Sequence, residues 1–248
     1  MYQVLIVEDD KTNRLFYEKL KVWEEEGFVI ADQAIHGQDA LSKMEGRSFD
    51  LYLVDVMMPI MNGLEFLQEL KNREIEAPRI IASNYNEFEY VRQGMKLGAM
   101  DYLLKPITEE ALRECLQAVR EELQESRDGE IIKYIFEECG ANVESGFCKK
   151  LMIYFAEHTA DINLKDVSEE FMLNHDYFGK LFKRQMNETF NQFVLKFKMN
   201  YARYLLAHTD DRIYEVGDRL GYKTTDYFSK IFREYTGETP AQYRKNAR

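Results

Sequence analysis

Five short apolar runs punctuate the first half of the chain, at Val4–Val7, Val29–Ala34, Leu51–Val54, Arg79–Ala82 and Tyr102–Leu104. Each is too short for a buried helix, and between them apolar residues recur at helical spacing, as in Leu64, Leu67 and Leu70 or Leu112, Cys115, Leu116, Val119 and Leu123. Strands alternating with helices can satisfy their apolar faces as a parallel sheet covered on both sides, so the expected fold here is α/β, a doubly wound five-stranded parallel sheet. Near Ser126 the strand signals stop. Ser126-Arg127-Asp128-Gly129 is expected to break the last helix, and a polar stretch, Gly140–Gly146, follows. This predicts a first domain over 1–125, a linker over 126–146 and an all-α domain over 147–248. Within the linker, Ile131, Ile132, Ile135 and Phe136 form an apolar stripe that needs a partner, inside the chain or across a dimer.

The chain has 248 residues, enough for two domains that each bury a core. No apolar run reaches the ~20 residues that cross a bilayer. The amino terminus lacks the basic flank and cleavage site of a secretory signal. Cys115, Cys139 and Cys148 show no C-x-x-C spacing, and the four histidines are scattered. Neither a disulfide framework nor a zinc site is indicated, which points to a reducing cytoplasm and no membrane partner. Charge is uneven: residues 1–126 carry 14 Lys and Arg against 25 Asp and Glu, whereas 180–248 carry 14 against 8. An acidic front and a basic tail suggest two tasks in one chain.

Three features close three of the predicted strands: Glu8-Asp9-Asp10, Asp55 and Lys105-Pro106. Ligands of open parallel sheets bind beyond the strand carboxyl ends. If strands one, three and five are neighbours, Glu8, Asp9, Asp55 and Lys105 share one pocket. Clustered carboxylates call for a cation, and oxygen ligands without His or Cys point to Mg²⁺. A carboxylate can also act as a nucleophile and form an aspartyl phosphate, with Lys105 balancing the added charge.

The segments Val4–Asp10, Asp50–Gly63 and Asp101–Pro106 resemble those of the receiver domain of bacterial two-component response regulators, over roughly residues 1–124. The resemblance implies a flavodoxin-like fold with Asp55 as phospho-acceptor. It implies Glu8 and Asp9 as the acidic pair, with Mg²⁺ held by Asp9, Asp55 and the carbonyl of Met57. Lys105 is then the phosphoryl contact beside a cis peptide, Ser83 the switch hydroxyl and Tyr102 the switch aromatic. Asn84 departs from the small residue common in relatives, but removes no required group.

The second half contains a repeat. Asp176-Tyr-Phe-Gly-Lys-Leu-Phe-Lys183 recurs 50 residues later as Asp226-Tyr-Phe-Ser-Lys-Ile-Phe-Arg233, each after an amphipathic helix and a short break. A short helix, a tight turn and a second helix with a basic polar face describe a helix-turn-helix. Between the copies, helical spacing from Phe190 to Leu205 predicts a joining helix ~28 Å long, which suits successive major grooves ~34 Å apart. The aromatic and aliphatic positions Phe178, Leu181, Phe182, Phe228, Ile231 and Phe232 read as core. The opposite face carries the candidate DNA contacts: Asp176, Gly179, Lys180 and Lys183 in the first copy, and Thr225, Asp226, Ser229, Lys230 and Arg233 in the second.

Residues 149–245 resemble the AraC-type DNA-binding domain, best in the second half, Gly221 to Arg244. Four positions depart from its pattern: Gly179, Asn187, Lys198 and Gly217. Lys cannot reproduce a bidentate Arg contact, and the two interior glycines each cost ~1 kcal/mol of helix stability. The first unit is therefore expected to be the poorer reader.

The combined expectation is a cytoplasmic response regulator. A sensor histidine kinase phosphorylates it on Asp55, which controls binding to promoter double-stranded DNA. A homodimer and contact with RNA polymerase are candidate assemblies. It is not expected to be an enzyme beyond Mg²⁺-dependent autophosphotransfer and autodephosphorylation. An aspartyl phosphatase would need a second acid where Met57 stands, and a receiver serving only for dimerisation would not need Asp9, Asp55, Ser83 and Lys105 together.

Overall fold

The computed structural model describes residues 1–84 and 88–248. By internal contacts the chain divides into two compact units, Met1–Glu125 and Ser126–Arg248.

In the first unit the strands are β1 (Tyr2–Val7), β2 (Phe28–Ala34), β3 (Leu51–Asp55), β4 (Arg79–Ser83) and β5 (Asp101–Leu104). They form one parallel sheet in the order β2-β1-β3-β4-β5. Between them run α1 (Lys11–Lys19), a one-turn α2 (Val22–Glu25), α3 (Gly37–Lys43), α4 (Gly63–Asn72) and α5 (Phe88–Lys96). Successive strand side chains point to opposite faces, so the continuous apolar runs feed two cores. Val4, Ile6, Leu51, Leu53, Ile80 and Leu103 pack with Tyr17 and Trp23. On the other face Leu5, Val7, Tyr52, Val54 and Ile81 pack with Phe66, Leu67 and Leu70. The helix α2 was not expected; its Val22 and Trp23 are buried and make it part of the first core.

Two expectations are corrected. Strands one, three and five are not all neighbours, because β4 lies between β3 and β5. And the last helix does not break at Gly129: α6 runs unbroken from Glu109 to Glu138, 30 residues. Its early apolar positions, Leu112, Cys115, Leu116 and Val119, belong to the first core. Past Gly129, Ile131, Ile132, Ile135 and Phe136 are buried in the core of the second unit. The penalty of one Gly in a helix is ~1 kcal/mol, which burying four large apolar side chains outweighs severalfold. The stretch read as a linker is thus largely structural, and the apolar stripe finds its partner within the chain.

The second unit continues with α7 (Gly146–Glu157), α8 (Leu164–Glu170), α9 (His175–Met186), α10 (Phe190–His208), α11 (Ile213–Arg219), α12 (Thr225–Thr236) and α13 (Pro240–Ala247). Helix α10 is 19 residues long and buries Phe193, Phe197, Met199, Tyr201, Ala202 and Leu206, which lie all round its circumference. It is the axis on which α8–α9 and α11–α12 are built. Thr189 and Thr239 start α10 and α13 with reciprocal capping boxes to Gln192 and Gln242.

Candidate functional site

At the carboxyl ends of β1, β3 and β5 the acidic pocket assembles around a buried lysine. Lys105 Nζ lies 2.6 Å from Glu8 Oε2 and 2.7 Å from Asp55 Oδ2. Although β4 intervenes between β3 and β5, the lysine side chain spans it. Lys105 is anchored by its backbone N–H, which donates to the Ser83 carbonyl, and is followed by a cis peptide to Pro106. Glu8 and Asp55 are buried while Asp9 is exposed, and oxygens of all three lie within 4.8 Å of one another. Three carboxylates against one ammonium leave a local charge deficit that a hard divalent cation with oxygen preference would meet. The donor set fits such an ion.

The local sequence sets this geometry. Asp10, the third acid of the cluster, is not a ligand: it caps α1, accepting from the Thr12 and Asn13 N–H groups, which hold its carboxyl below the usual range. The cap fixes the first turns of α1, and Asn13 and Tyr17, four residues apart on one helix face, both reach Glu8. Asn13 Nδ2 donates to Oε1 at 3.1 Å, and the Tyr17 hydroxyl approaches Oε2 at 3.4 Å. Burial pushes Glu8 above the ordinary carboxylate range, opposed by the hydrogen bonds from Lys105 and Asn13. Behind Asp55, Gly63 begins α4. A Cβ there would sit 2.1 Å from the Asp55 carbonyl oxygen, so only glycine allows the approach. The Met57 N–H donates to Asp55 Oδ1 at 3.2 Å, and the Met57 side chain is exposed. Ser83 is fully buried as the last residue of β4, Tyr102 is half-buried on β5, and Asn84 is exposed. Asn13 and Tyr17 were missed in the sequence. The signal was their i, i+4 spacing after a capping aspartate.

The repeated helices α9 and α12 bury the same positions. Phe178 and Phe182 in one, Phe228 and Phe232 in the other, are fully buried. On the opposite face Asp176, Lys180 and Lys183, and Thr225, Asp226, Lys230 and Arg233, are exposed, with Gly179 and Ser229 half-buried at matching places. Two residues absent from the sequence reading join that face: Tyr177 and Tyr227, 54% and 57% exposed, in the first turns of the two helices. Within each Tyr-Phe pair only the Phe, the residue expected in the core, is buried. Lys198 has a structural role. Its ammonium bonds the Ala160 carbonyl at 2.9 Å and lies over the Tyr222 ring, and burial lowers its pKa.

Similarity to known proteins matches this division. Residues 4–117 match the response regulator receiver domain, and residues 167–246 a helix-turn-helix domain. Over their full lengths, an uncharacterised response regulatory protein of Staphylococcus epidermidis is 23% identical (254 aligned residues) and the transcriptional regulatory protein HptR of Staphylococcus aureus is 25% identical (263 residues), each alignment covering 100% of both chains. Among solved structures, the REC domain of AraT, a response regulator from Geobacillus stearothermophilus, is 30% identical, covers 51% of this chain and 98% of its own, and superposes with a TM-score of 0.48. Among the described residues no helix is long and apolar enough to cross a membrane.

Proposed function

The chain is a response regulator, a receiver domain followed by an AraC-type helix-turn-helix domain, and from that premise we propose that phosphorylation of Asp55 controls its binding to promoter DNA in the cytoplasm. The observation that supports the proposal is the buried Lys105 bridge to Glu8 and Asp55, which sets an ammonium beside the carboxylate read as the acceptor.

In this reading an Asp55 carboxylate oxygen attacks the phosphorus of a histidine kinase phosphohistidine, forming a P–O bond as the P–N bond breaks. Asp9, Asp55 and the Met57 carbonyl, with Glu8 behind them, would hold Mg²⁺, which would supply positive charge for the phosphoryl oxygens. Lys105 moves its ammonium from the free Asp55 carboxylate to a phosphoryl oxygen. Ser83 donates its hydroxyl to another, drawing the end of β4 toward Asp55, and Tyr102 repacks beside it. Phosphorylation thereby biases two pre-existing conformations. Hydrolysis of the aspartyl phosphate resets the switch, and no other catalysis is assigned.

The output is a basic face on α9 and α12. Lys180, Lys183, Lys230 and Arg233 supply phosphate or guanine contacts, and Asp176, Gly179, Thr225, Asp226 and Ser229 lie against the groove. A homodimer binding paired sites, and contact with RNA polymerase, extend this reading.

Incubation with acetyl phosphate and Mg²⁺, beside an Asp55→Ala variant, tests it. Covalent phosphate on the wild type alone, with tighter retention of duplexes selected from a random-sequence pool, is the expected result. Labelling that survives Asp55→Ala overturns the site. Labelling without change in DNA affinity or oligomeric state reduces the receiver to a dimerisation module.

A further inference from the structure

Glu8 is saturated with hydrogen bonds in a way that raises a question about the switch itself. An ionised carboxylate offers about four lone-pair sites. Here Oε1 accepts from Asn13 Nδ2 at 3.1 Å and, at 3.4 Å, from the Asp10 N–H. Oε2 accepts from Lys105 Nζ at 2.6 Å, with the Tyr17 hydroxyl at 3.4 Å. Glu8 is 1% exposed, so bulk water cannot replace a lost donor. Lys105 is the one donor with a second appointment, because the same ammonium holds Asp55 at 2.7 Å. A phosphoryl group that draws Lys105 away leaves the Tyr17 hydroxyl as the donor to Glu8 Oε2 among the described residues. A buried charge without a hydrogen-bonding partner is strongly disfavoured.

We propose that Tyr17 is a positioning residue of the metal and phosphoryl site: its hydroxyl takes over Glu8 Oε2 when Lys105 leaves it. The placement supports that role. Tyr17 is 2% exposed, and its ring is packed in the core among apolar residues of the sheet and α2. Its backbone carbonyl accepts the Trp23 indole N–H at 3.0 Å, which ties that turn of α1 to α2. The hydroxyl has one proton to donate, and Glu8 Oε2 is the carboxylate oxygen it faces. The ring fixes the hydroxyl, and the hydroxyl can close on Oε2 by a small shift of the glutamate once the shorter Lys105 contact is released.

The inference rests on the reading that this pocket takes Mg²⁺, and the experiment separates the two. Mg²⁺ is titrated calorimetrically into the full chain, as wild type, Tyr17→Phe, Lys105→Ala and the double variant. Tyr17→Phe removes one oxygen and keeps the ring, and thermal melts check that the fold is retained. The expected result is Mg²⁺ affinity about 3–10-fold weaker in Tyr17→Phe, within the range of a typical net hydrogen bond. In the Lys105→Ala background, where Tyr17 is the only donor to Oε2 among the described residues, the same change should cost more, and this non-additivity is what a merely structural tyrosine would not produce. An unchanged affinity in Tyr17→Phe, or an equal loss in both backgrounds, overturns the proposal. A wild type that takes up no Mg²⁺ removes the metal reading and the proposal with it.

Discussion

Replacing Lys105 by Met tests how the pocket is held together, because Met keeps the apolar stem and deletes the charge. In the wild type the side chains of Lys105, Glu8 and Asp55 are 5%, 2% and 8% exposed. At an effective dielectric of about 20, each contact near 2.7 Å is worth roughly 6 kcal/mol before desolvation. Desolvation cancels most of that, but removing one partner leaves the other charges buried and alone, at a cost of about 3–5 kcal/mol. The loss should depend on pH. Burial already raises Glu8 above its unfolded value of 4.5, and the Lys105 ammonium opposes the rise. Folding therefore favours protonated Glu8, and the stability carried by this group is full below pH 4.5 and falls as pH climbs through the higher folded value. Without the ammonium the folded value climbs further, so the deficit of Lys105→Met should be smaller at acidic than at alkaline pH, and Mg²⁺ should recover part of it. Trp23, the single tryptophan, is buried in the same core and reports receiver unfolding in urea. A deficit under about 1 kcal/mol, the level of an exposed ion pair, or one independent of pH, would refute the reasoning.

Gly63→Ala should disturb the acceptor directly, since its Cβ would lie 2.1 Å from the Asp55 carbonyl oxygen; about 1–3 kcal/mol of destabilisation and an acetyl phosphate labelling rate lowered about 100-fold are expected. Gly129→Ala meets nothing within 4 Å, so it should stabilise α6 by ~1 kcal/mol in thermal melts, whereas a loss would contradict an unbroken helix there. Lys230→Ala should weaken specific DNA binding by about 1–3 kcal/mol in titrations at fixed salt if the ammonium reads a base. Phe136→Ala should destabilise the DNA-binding unit by about 3–5 kcal/mol, because this fully buried ring touches Phe155, Phe193 and Phe197; urea melts followed by helical circular dichroism would show it.

The receiver half was legible because its signals are local. Apolar runs bounded by acids and a Lys-Pro pair identify strand ends, and the pocket is built at strand ends. What stayed hidden depended on distance in space. The intervening β4 cannot be read from β3 or β5 alone, and the approach of Tyr17 to Glu8 depends on how the Asp10 cap aims α1. The error at Gly129 has another cause. Glycine marks a weak point of a helix, but local weakness yields to tertiary burial, and Ile131, Ile132, Ile135 and Phe136 supply that burial. The same stripe, read as needing a partner, carried the correct information. Lys198 was legible as a departure from a family pattern, but its partner, the Ala160 carbonyl, lies 38 residues away and gives no sequence signal.

The asymmetry of the two helix-turn-helix units also changes meaning once the backbone is in view. In the second unit the turns are set by glycine: Gly221 at φ 78° and Gly237 at φ 84°. At Gly221 a Cβ would lie 2.0 Å from the Ala160 carbonyl oxygen, so the close approach is obligatory. In the first unit Met172 at φ 54° and Asn187 at φ 59° adopt the left-handed conformation with side chains attached. Asn tolerates it, whereas Met costs about 1–2 kcal/mol. Phe147, Phe171, Phe178, Phe182, Phe190 and Phe193 form a chain of ring contacts under this unit, and each such pair adds about 0.5–1.5 kcal/mol beyond its buried area. Packing therefore holds the first unit in the shape that glycine permits in the second. Gly179 fits the same view, for a Cβ there would meet nothing within 4 Å. Its missing side chain removes a contact from the reading face and leaves the helix-turn-helix itself intact, so any weakness of the first unit as a reader lies in its chemistry toward DNA rather than in its fold.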